Sequence, residues 1–326
     1  VFLNAQEAQK TRAQQKFDAV AQKITAAFEK DIQSYINTLV ANERFIAASE
    51  EVSSEEFKNF AGKFVDLYPG IQALSWNKKI THQERAAFEH ALRDENSPNF
   101  TIKDRFGTGE IEAASTREVY FPVTYVVPFK ENKAAHGYDT YGPDEVSDNV
   151  RIKVLDHARD DGKPYTTGRI SVVQAENQYG LLIYNPVYKG NDKAYNIEKR
   201  RENLIGYIAG VFIIPDMLNA TQKTAAQHGV DFVLKDLNAS PTTQLIYDSR
   251  TPDYREPAQP IPLDKGKLYA DIELEVAGSI WSFKFIDKVG IGSAAHGWGL
   301  WYILIGGFLS SSIFGAFLLI ISAHTV

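Results

Sequence analysis

Cysteine is absent from the 326 residues, which excludes a disulfide framework, a thiol nucleophile and a thiolate metal site together. The compartment stays open on this ground, because a bacterial periplasmic domain can do without bridges. No long basic run occurs either: 41 acidic against 35 basic residues leave a formal charge of −6, which argues against nucleic acid as a partner. A neutral or cationic small ligand suits that balance better. None of the seven histidines pairs with a carboxylate at metal-ligand spacing. There is no Gly-x-Ser-x-Gly turn and no Ser/His/Asp set can be placed. Gly290-Ile291-Gly292-Ser293 lacks the spacing of a phosphate-cradling loop and reads as a flexible connector. No catalytic residue, metal or cofactor is therefore expected.

Charge is missing most visibly at the end. From Trp298 to Ile321 no residue is ionised, a stretch of about 24 positions that predicts one membrane-crossing helix over 298–321. Within it Gly307, Ser311 and Gly315 recur every four residues, a spacing that lets two such helices approach closely or simply reflects how common Gly and Ser are in membrane helices. Val1 stands where an initiator Met would be, and the expected upstream segment is read as a first membrane helix.

What remains has the length of roughly two domains and, at 44% hydrophobic residues, enough to fill cores. Val20, Ile24, Phe28, Ile32, Tyr35 and Leu39 return every three or four residues, so residues 1–52 are predicted to be a long stalk helix. It either pairs with a second copy in a parallel homodimer or packs against its own domain. Ser53-Ser54-Glu55-Glu56 and Thr81-His82-Gln83-Glu84 have the capping-box form. Strands are predicted at Ile71–Trp76, Tyr120–Phe129, Thr166–Val173, Leu181–Tyr188 and Ile205–Ile213, with a helix from Pro143 to Asp160. The pattern then restarts on a smaller scale: a helix at Asp216–His228, short strands, and a hairpin around Gly278. The fold class is α/β (α+β).

Several runs carry a resemblance. They are Tyr68-Pro69-Gly70-Ile71-Gln72-Ala73-Leu74-Ser75-Trp76, Glu84-Arg85 with Phe88-Glu89, Tyr120-Phe121-Pro122-Val123-Thr124-Tyr125, Gly137-Tyr138-Asp139, Ala158-Arg159-Asp160 with Gly162, and Tyr184-Asn185-Pro186-Val187-Tyr188. In order and spacing they resemble the CHASE family, the ligand-sensing ectodomains of histidine kinases and nucleotide cyclases. The resemblance covers about residues 55 to 215. It implies two PAS-like units in tandem, standing between two membrane helices as a dimer: a membrane-distal ligand-binding unit at 53–215 and a proximal unit at 216–290, followed by a linker at 291–297. In the related plant cytokinin receptors the ligand is an adenine-type molecule and an acidic residue accepts hydrogen bonds from it; the matching position is Asp139. The family often has Arg-Arg early in the next helix, whereas here Arg151 is followed by Ile152.

A pocket with apolar walls and a few convergent polar groups is expected on those strands. Phe121, Tyr125, Leu182 and Tyr184 would be its walls, and Thr166 and Asp139 its polar groups, if alternation turns them inward. A one-residue slip in phase would exchange them for their neighbours. Asp139 has a second reading, as the cap of a turn through Gly142 and Pro143. The expectation is an extracytoplasmic small-molecule sensor region on the plasma or inner membrane, coupled to a kinase or cyclase module. The rival readings are a double-unit chemoreceptor for amino acids and a membrane-anchored hydrolase.

Overall fold

The computed structural model describes residues 2–95, 97–105, 111–143, 150–171, 179–191, 196–251, 267–288 and 299–324. The α-helices are α1 (Phe2–Ala48), α2 (Ser54–Leu67), α3 (Arg85–Glu95), α4 (Phe129–Asn132), α5 (Val150–Asp161), α6 (Ile197–Asn203), α7 (Ile214–Gln227) and α8 (Gly299–His324). The strands are β1 (Ala73–Lys78), β2 (Ile80–Thr81), β3 (Lys103–Arg105), β4 (Ile111–Ala113), β5 (Val119–Tyr120), β6 (Val123–Val127), β7 (Tyr165–Thr166), β8 (Ile170–Ser171), β9 (Tyr179–Tyr188) and β10 (Leu204–Ile213). After α7 come β11 (Val230–Asp236), β12 (Leu245–Asp248), β13 (Tyr269–Val276) and β14 (Ser279–Asp287).

Two larger antiparallel sheets result, beside the two-stranded pairs β2-β5 and β3-β4. The first has the order β6-β1-β10-β9-β7, with β8 also paired to β9, and the second the order β12-β11-β14-β13. Strands β9 and β10 are buried over almost their full ten residues each, because α1 covers one face of the first sheet and α5 the other. Burial on both faces gives near-continuous apolar runs instead of alternation. Strand β13 alternates as a one-sided strand should, with Asp271, Glu273 and Glu275 exposed and Leu274 and Val276 buried.

Helix α1 is the common spine. Its stripe Phe17, Ala21, Ile24, Phe28, Ile32, Tyr35 and Leu39 is buried. Phe28 stacks on Trp281 and meets Phe283 edge to face in the second sheet, with ring centroids 6.0 and 5.2 Å away, while Tyr35 meets Phe212 of the first sheet at 5.4 Å. The apolar side is thus spent within the chain itself. The first capping box forms, with Ser53 Oγ accepting from Glu56 N and the Glu56 carboxylate accepting from Ser53 N; the second forms by half, since Thr81 N donates to the Glu84 carboxylate at 2.9 Å while Glu84 N donates to Thr81 O and not to the hydroxyl. The helix expected from Pro143 is described from Val150 onward. The short helix α6 and the β3–β4 hairpin have no counterpart among the sequence expectations.

At the C-terminal end Gly299–His324 is one helix, but side chains are described only over 305–317. Among the described residues no helix is long and apolar enough to cross a membrane. The expected linker at 291–297, the Gly290–Ser293 connector, most of the Pro-rich run from Thr251 to Pro262 and the first residue of the expected span lie outside the described residues.

Candidate functional site

The Gly137-Tyr138-Asp139 run is threaded as an extended segment between two others. Lys103 N donates to Gly137 O and Asp139 N to Lys103 O on one side; Val123 N donates to Tyr138 O and Thr140 N to Phe121 O on the other. Gly137 must be glycine: its φ is +84°, and a Cβ would lie 2.4 Å from Thr101 O. The flanking 101–114 region is pinned to α3 by Arg85 and Glu89, which pair at 2.9 Å; Arg85 donates to Ala114 O at 2.8 Å and Glu89 accepts from Ile102 N at 3.0 Å. These residues of the motif hold the architecture together.

Asp139 is completely buried. Its Oδ1 accepts from Phe121 N at 2.8 Å and Tyr141 N at 3.1 Å, and Oδ2 faces Arg117 Nε at 3.5 Å. Arg117 also pairs with the buried Asp104. Burial pushes the Asp139 carboxyl up to about 6, against the lowering pull of the two backbone donors and Arg117. Asp139 therefore shapes the turn that carries Tyr138 and Thr140.

Those two neighbours line a buried cavity of about 30 Å³ between the first sheet and the start of α5, together with Ser75, Asn77, Arg151 and Tyr184. Leu182 completes the wall from β9; it and Tyr184 are two apart on one strand and so share a face. Three of these polar side chains form a chain: Ser75 Oγ donates to Asn77 Oδ1 at 2.9 Å, Asn77 Nδ2 to Thr140 Oγ1 at 3.4 Å, and Thr140 Oγ1 to Phe121 O at 2.9 Å. The Arg151 guanidinium stands 5.0 Å over the Tyr138 ring. Tyr184 differs from the other buried tyrosines. Tyr207 donates to Leu155 O at 3.0 Å and Tyr188 donates to Arg159 O, whereas the Tyr184 hydroxyl is buried with no hydrogen-bond partner. Burial raises its pKa, so the phenol keeps its proton.

Leu182 and Tyr184 thus meet at the cavity, Phe121 packs against Tyr207 at 5.1 Å, and Asp139 stands between the lining residues Tyr138 and Thr140 without lining the cavity itself. Tyr125 and Thr166 do not join them. In β6 the register shifts so that Asn77 faces Val123 while Trp76 faces Tyr125; the extra residue, Thr124, is a bulge that inverts the phase. Tyr125 therefore lines a groove of about 670 Å³ on the opposite face, with Phe57, Val127, Phe129 and His136. Thr166 lies where the two sheets meet: its N–H donates to Ala277 O at 2.9 Å. Ser75, Asn77, Thr140 and Arg151 escaped the sequence reading; Ser75 stood within a family motif, and its spacing of two from Asn77 was the available signal. Among the described residues no group of His, Cys, Asp or Glu could hold a metal ion.

The structure is similar to the periplasmic sensory domain of the Campylobacter jejuni chemoreceptor Tlp1, at 12% identity over 84% of this chain and 93% of that one, TM-score 0.49. It is also similar to the ligand-binding domain of the Pseudomonas aeruginosa amino acid chemoreceptor PctC in complex with GABA, at 7% identity over 84% and 99%, TM-score 0.47. In sequence the chain is 26% identical over 208 residues to hybrid signal transduction histidine kinase A of Dictyostelium discoideum, 60% of this chain and 9% of that protein. It is 22% identical over 165 residues to the germination-specific adenylate cyclase of the same organism, 50% of this chain and 18% of the cyclase. The matches thus span only a small part of either relative. The CHASE domain model matches residues 50–247, the region that contains the whole first sheet and its cavity, and the chain belongs to the CHASE domain family.

Proposed function

We propose that the chain is the extracytoplasmic sensory part of a transmembrane receptor, in which a small molecule enters the cavity over the first sheet and biases a kinase or cyclase module elsewhere in the protein. The first sheet with its helices is then the membrane-distal, PAS-like ligand-binding unit at 53–215, and the second sheet the proximal unit at 216–290. The membrane tether would be the 298–321 segment, a reading that rests on its sequence, which holds no Asp, Glu, Lys or Arg. A parallel homodimer would use the outer side of α1, since its apolar side is already covered.

One observation carries the reading: Tyr184 buries a hydroxyl with no partner beside a cavity. An unmet buried donor costs about 1–3 kcal/mol, and a ligand that accepts its proton recovers that cost. Leu182 and Tyr184 would touch the ligand, while Phe121 and Asp139 hold the 137–141 segment against it. Thr166 is proposed to pass the resulting shift to the second sheet, and Tyr125 to serve the opposite groove. A ligand moves such an equilibrium only by its differential affinity for the two states.

The test is thermal shift and calorimetry on the chain in detergent with adenine-type molecules, amino acids and small organic acids. A true ligand stabilises by mass action and does so less in Tyr184→Phe. A ligand whose affinity is the same in Tyr184→Phe and Leu182→Ala binds elsewhere, and the proposal fails.

A further inference from the structure

We infer that Thr167 is a positioning residue for the cavity wall: a bulge at the edge of the first sheet ties Leu182 to the hairpin that opens β14, so that wall and hairpin move together. This rests on the cavity being the ligand site and goes on to name how that site is coupled to the second sheet.

The register along the edge shows the bulge. Tyr165 and Thr166 of β7 face Tyr184 and Ile183, whereas Ile170 and Ser171 of β8 face Gly180 and Tyr179. Thr167 continues the first pairing: its N–H donates to Leu182 O at 2.9 Å and its hydroxyl oxygen accepts from Leu182 N at 3.0 Å. Gly168 and Arg169 are therefore set against Leu181, two residues opposite one, which is a β-bulge. Gly168 turns the chain away with φ of +65°, and Thr167 Oγ1 takes the place that a main-chain carbonyl has in a regular ladder. The same hydroxyl donates to Gly168 O at 2.9 Å, so it fixes the bulge to the strand.

The bulge leans on the second sheet. Thr166 N donates to Ala277 O at 2.9 Å, a Cβ on Gly168 would lie 3.0 Å from Asp236 Oδ2, and Arg169 donates to Thr242 O at 3.3 Å. Asp236 accepts from Ser279 Oγ and from Asn238 N, and Asn238 Oδ1 accepts from Ile280 N at 2.7 Å. The start of β14 is thus held by residues that the bulge touches, and β14 is the last described strand before the 298–321 segment.

Leu182 lines the cavity and spends both its main-chain groups on Thr167. Helix α1 also touches both sheets, but it packs with Leu181 and Ile183, whereas Leu182 and Tyr184 belong to the core on the other face. A ligand pressing on Leu182 therefore displaces Thr167 first, and with it the hairpin at Ala277 and Gly278. Bulges beside a site re-aim the strand that carries it, and this one aims Leu182 from outside its own unit.

Hydrogen exchange on the chain in detergent, with no ligand added, reads the coupling through local opening. Leu182→Ala is expected to speed amide exchange over 279–283 several-fold, and Val123→Ala, which alters the same cavity from β6, is not. Thr167→Val keeps the branched shape without the hydroxyl: in that background Leu182→Ala should add nothing at 279–283, and Thr167→Ser should restore its effect. Coupling is reciprocal, so Gly278→Ala should speed exchange at Thr167 and Leu182 while leaving 75–77 as they are, which keeps the test valid if Thr167→Val fails to fold. Equal acceleration by Val123→Ala and Leu182→Ala would overturn the inference, as would a Leu182→Ala effect that is absent or that survives Thr167→Val. Each of those results strikes the coupling and leaves the cavity as the ligand site, whereas a ligand whose affinity is the same in Tyr184→Phe and Leu182→Ala strikes the site.

Discussion

Gly278 sits against the face of Tyr165 so closely that a Cβ placed on it would lie 2.4 Å from the ring. Gly278 closes the β13–β14 hairpin of the second sheet, where it and Ala277 have φ of +77° and +44°, as a two-residue type I′ turn requires. Tyr165 belongs to the first sheet and is the cross-strand partner of Tyr184. The residue that presents a buried hydroxyl to the cavity is therefore one strand away from the surface on which the second sheet docks.

Substituting Gly278 should separate those two surfaces. Alanine there meets both an unfavourable φ and the Tyr165 ring, a cost of about 2 kcal/mol or more. Urea unfolding should show this loss, with the 165–171 segment becoming accessible to protease. Wild-type stability and protease resistance in Gly278→Ala would mean that the contact does not join the sheets.

The buried tyrosines should separate by what their hydroxyls do. Tyr207→Phe leaves Leu155 O without its donor and should lose about 1 kcal/mol, whereas Tyr184→Phe removes an unmet group and should leave unliganded stability unchanged or raise it by about 1 kcal/mol. Equal losses in denaturant titrations of the two variants would contradict the assignment of Tyr184 as unpartnered.

Asp139 gives a pH signature of defined sign. Its carboxyl holds a proton more tightly in the folded chain, at about 6, than the usual 3.8, so its contribution favours folding below 3.8 and is lost as pH rises through 6. Asp139→Asn keeps an oxygen to accept from Phe121 N and Tyr141 N. The stability of Asp139→Asn relative to wild type should rise between pH 4 and 6 and level off above it, as unfolding curves at a series of pH values would show. Asp139→Ala, by contrast, strands two backbone donors at about 1–3 kcal/mol each and should loosen the turn itself. A flat difference between Asn and wild type would mean that the carboxyl is ionised throughout.

A parallel dimer through α1 has a positional signature. Ile24 and Thr25 are buried against the chain's own sheets, so cysteines there should not crosslink. Ala26 and Gln33 are exposed on the outer side and are where Ala26→Cys or Gln33→Cys should form a disulfide between copies. Oxidative crosslinking on a denaturing gel checks both, and no product at any exposed α1 position would count against the paired helix.

Much of the architecture was legible. The stripe of α1, the first capping box and the hairpin at Gly278 are local patterns, carried by residues within a turn or two of one another. The candidate site was legible in part. Leu182 and Tyr184 could be placed together because they lie two apart on one strand, and the Gly137-Tyr138-Asp139 motif marked the right segment. Tyr125 was grouped with Phe121 by even spacing, and the bulge at Thr124 broke that count. Arg151 was seen only as a departure from a family pattern, because nothing local says that a helix side chain will reach a sheet more than twenty residues away in sequence.

By itself the sequence determined the class of molecule: no thiol, no nucleophile set, a long amphipathic helix, two alternating α and β regions, and the motifs of a sensory family. Those properties depend on composition and short-range periodicity, which folding does not alter. Only the tertiary structure decided which side of the first sheet each aromatic faces, that Asp139 spends its charge on a turn and Arg117, and that Tyr184 and Arg151 converge. Burial of β9 and β10 on both faces removes the alternation that would reveal direction, and one inserted residue in β6 inverts it, so facing is fixed by the partners across the sheet.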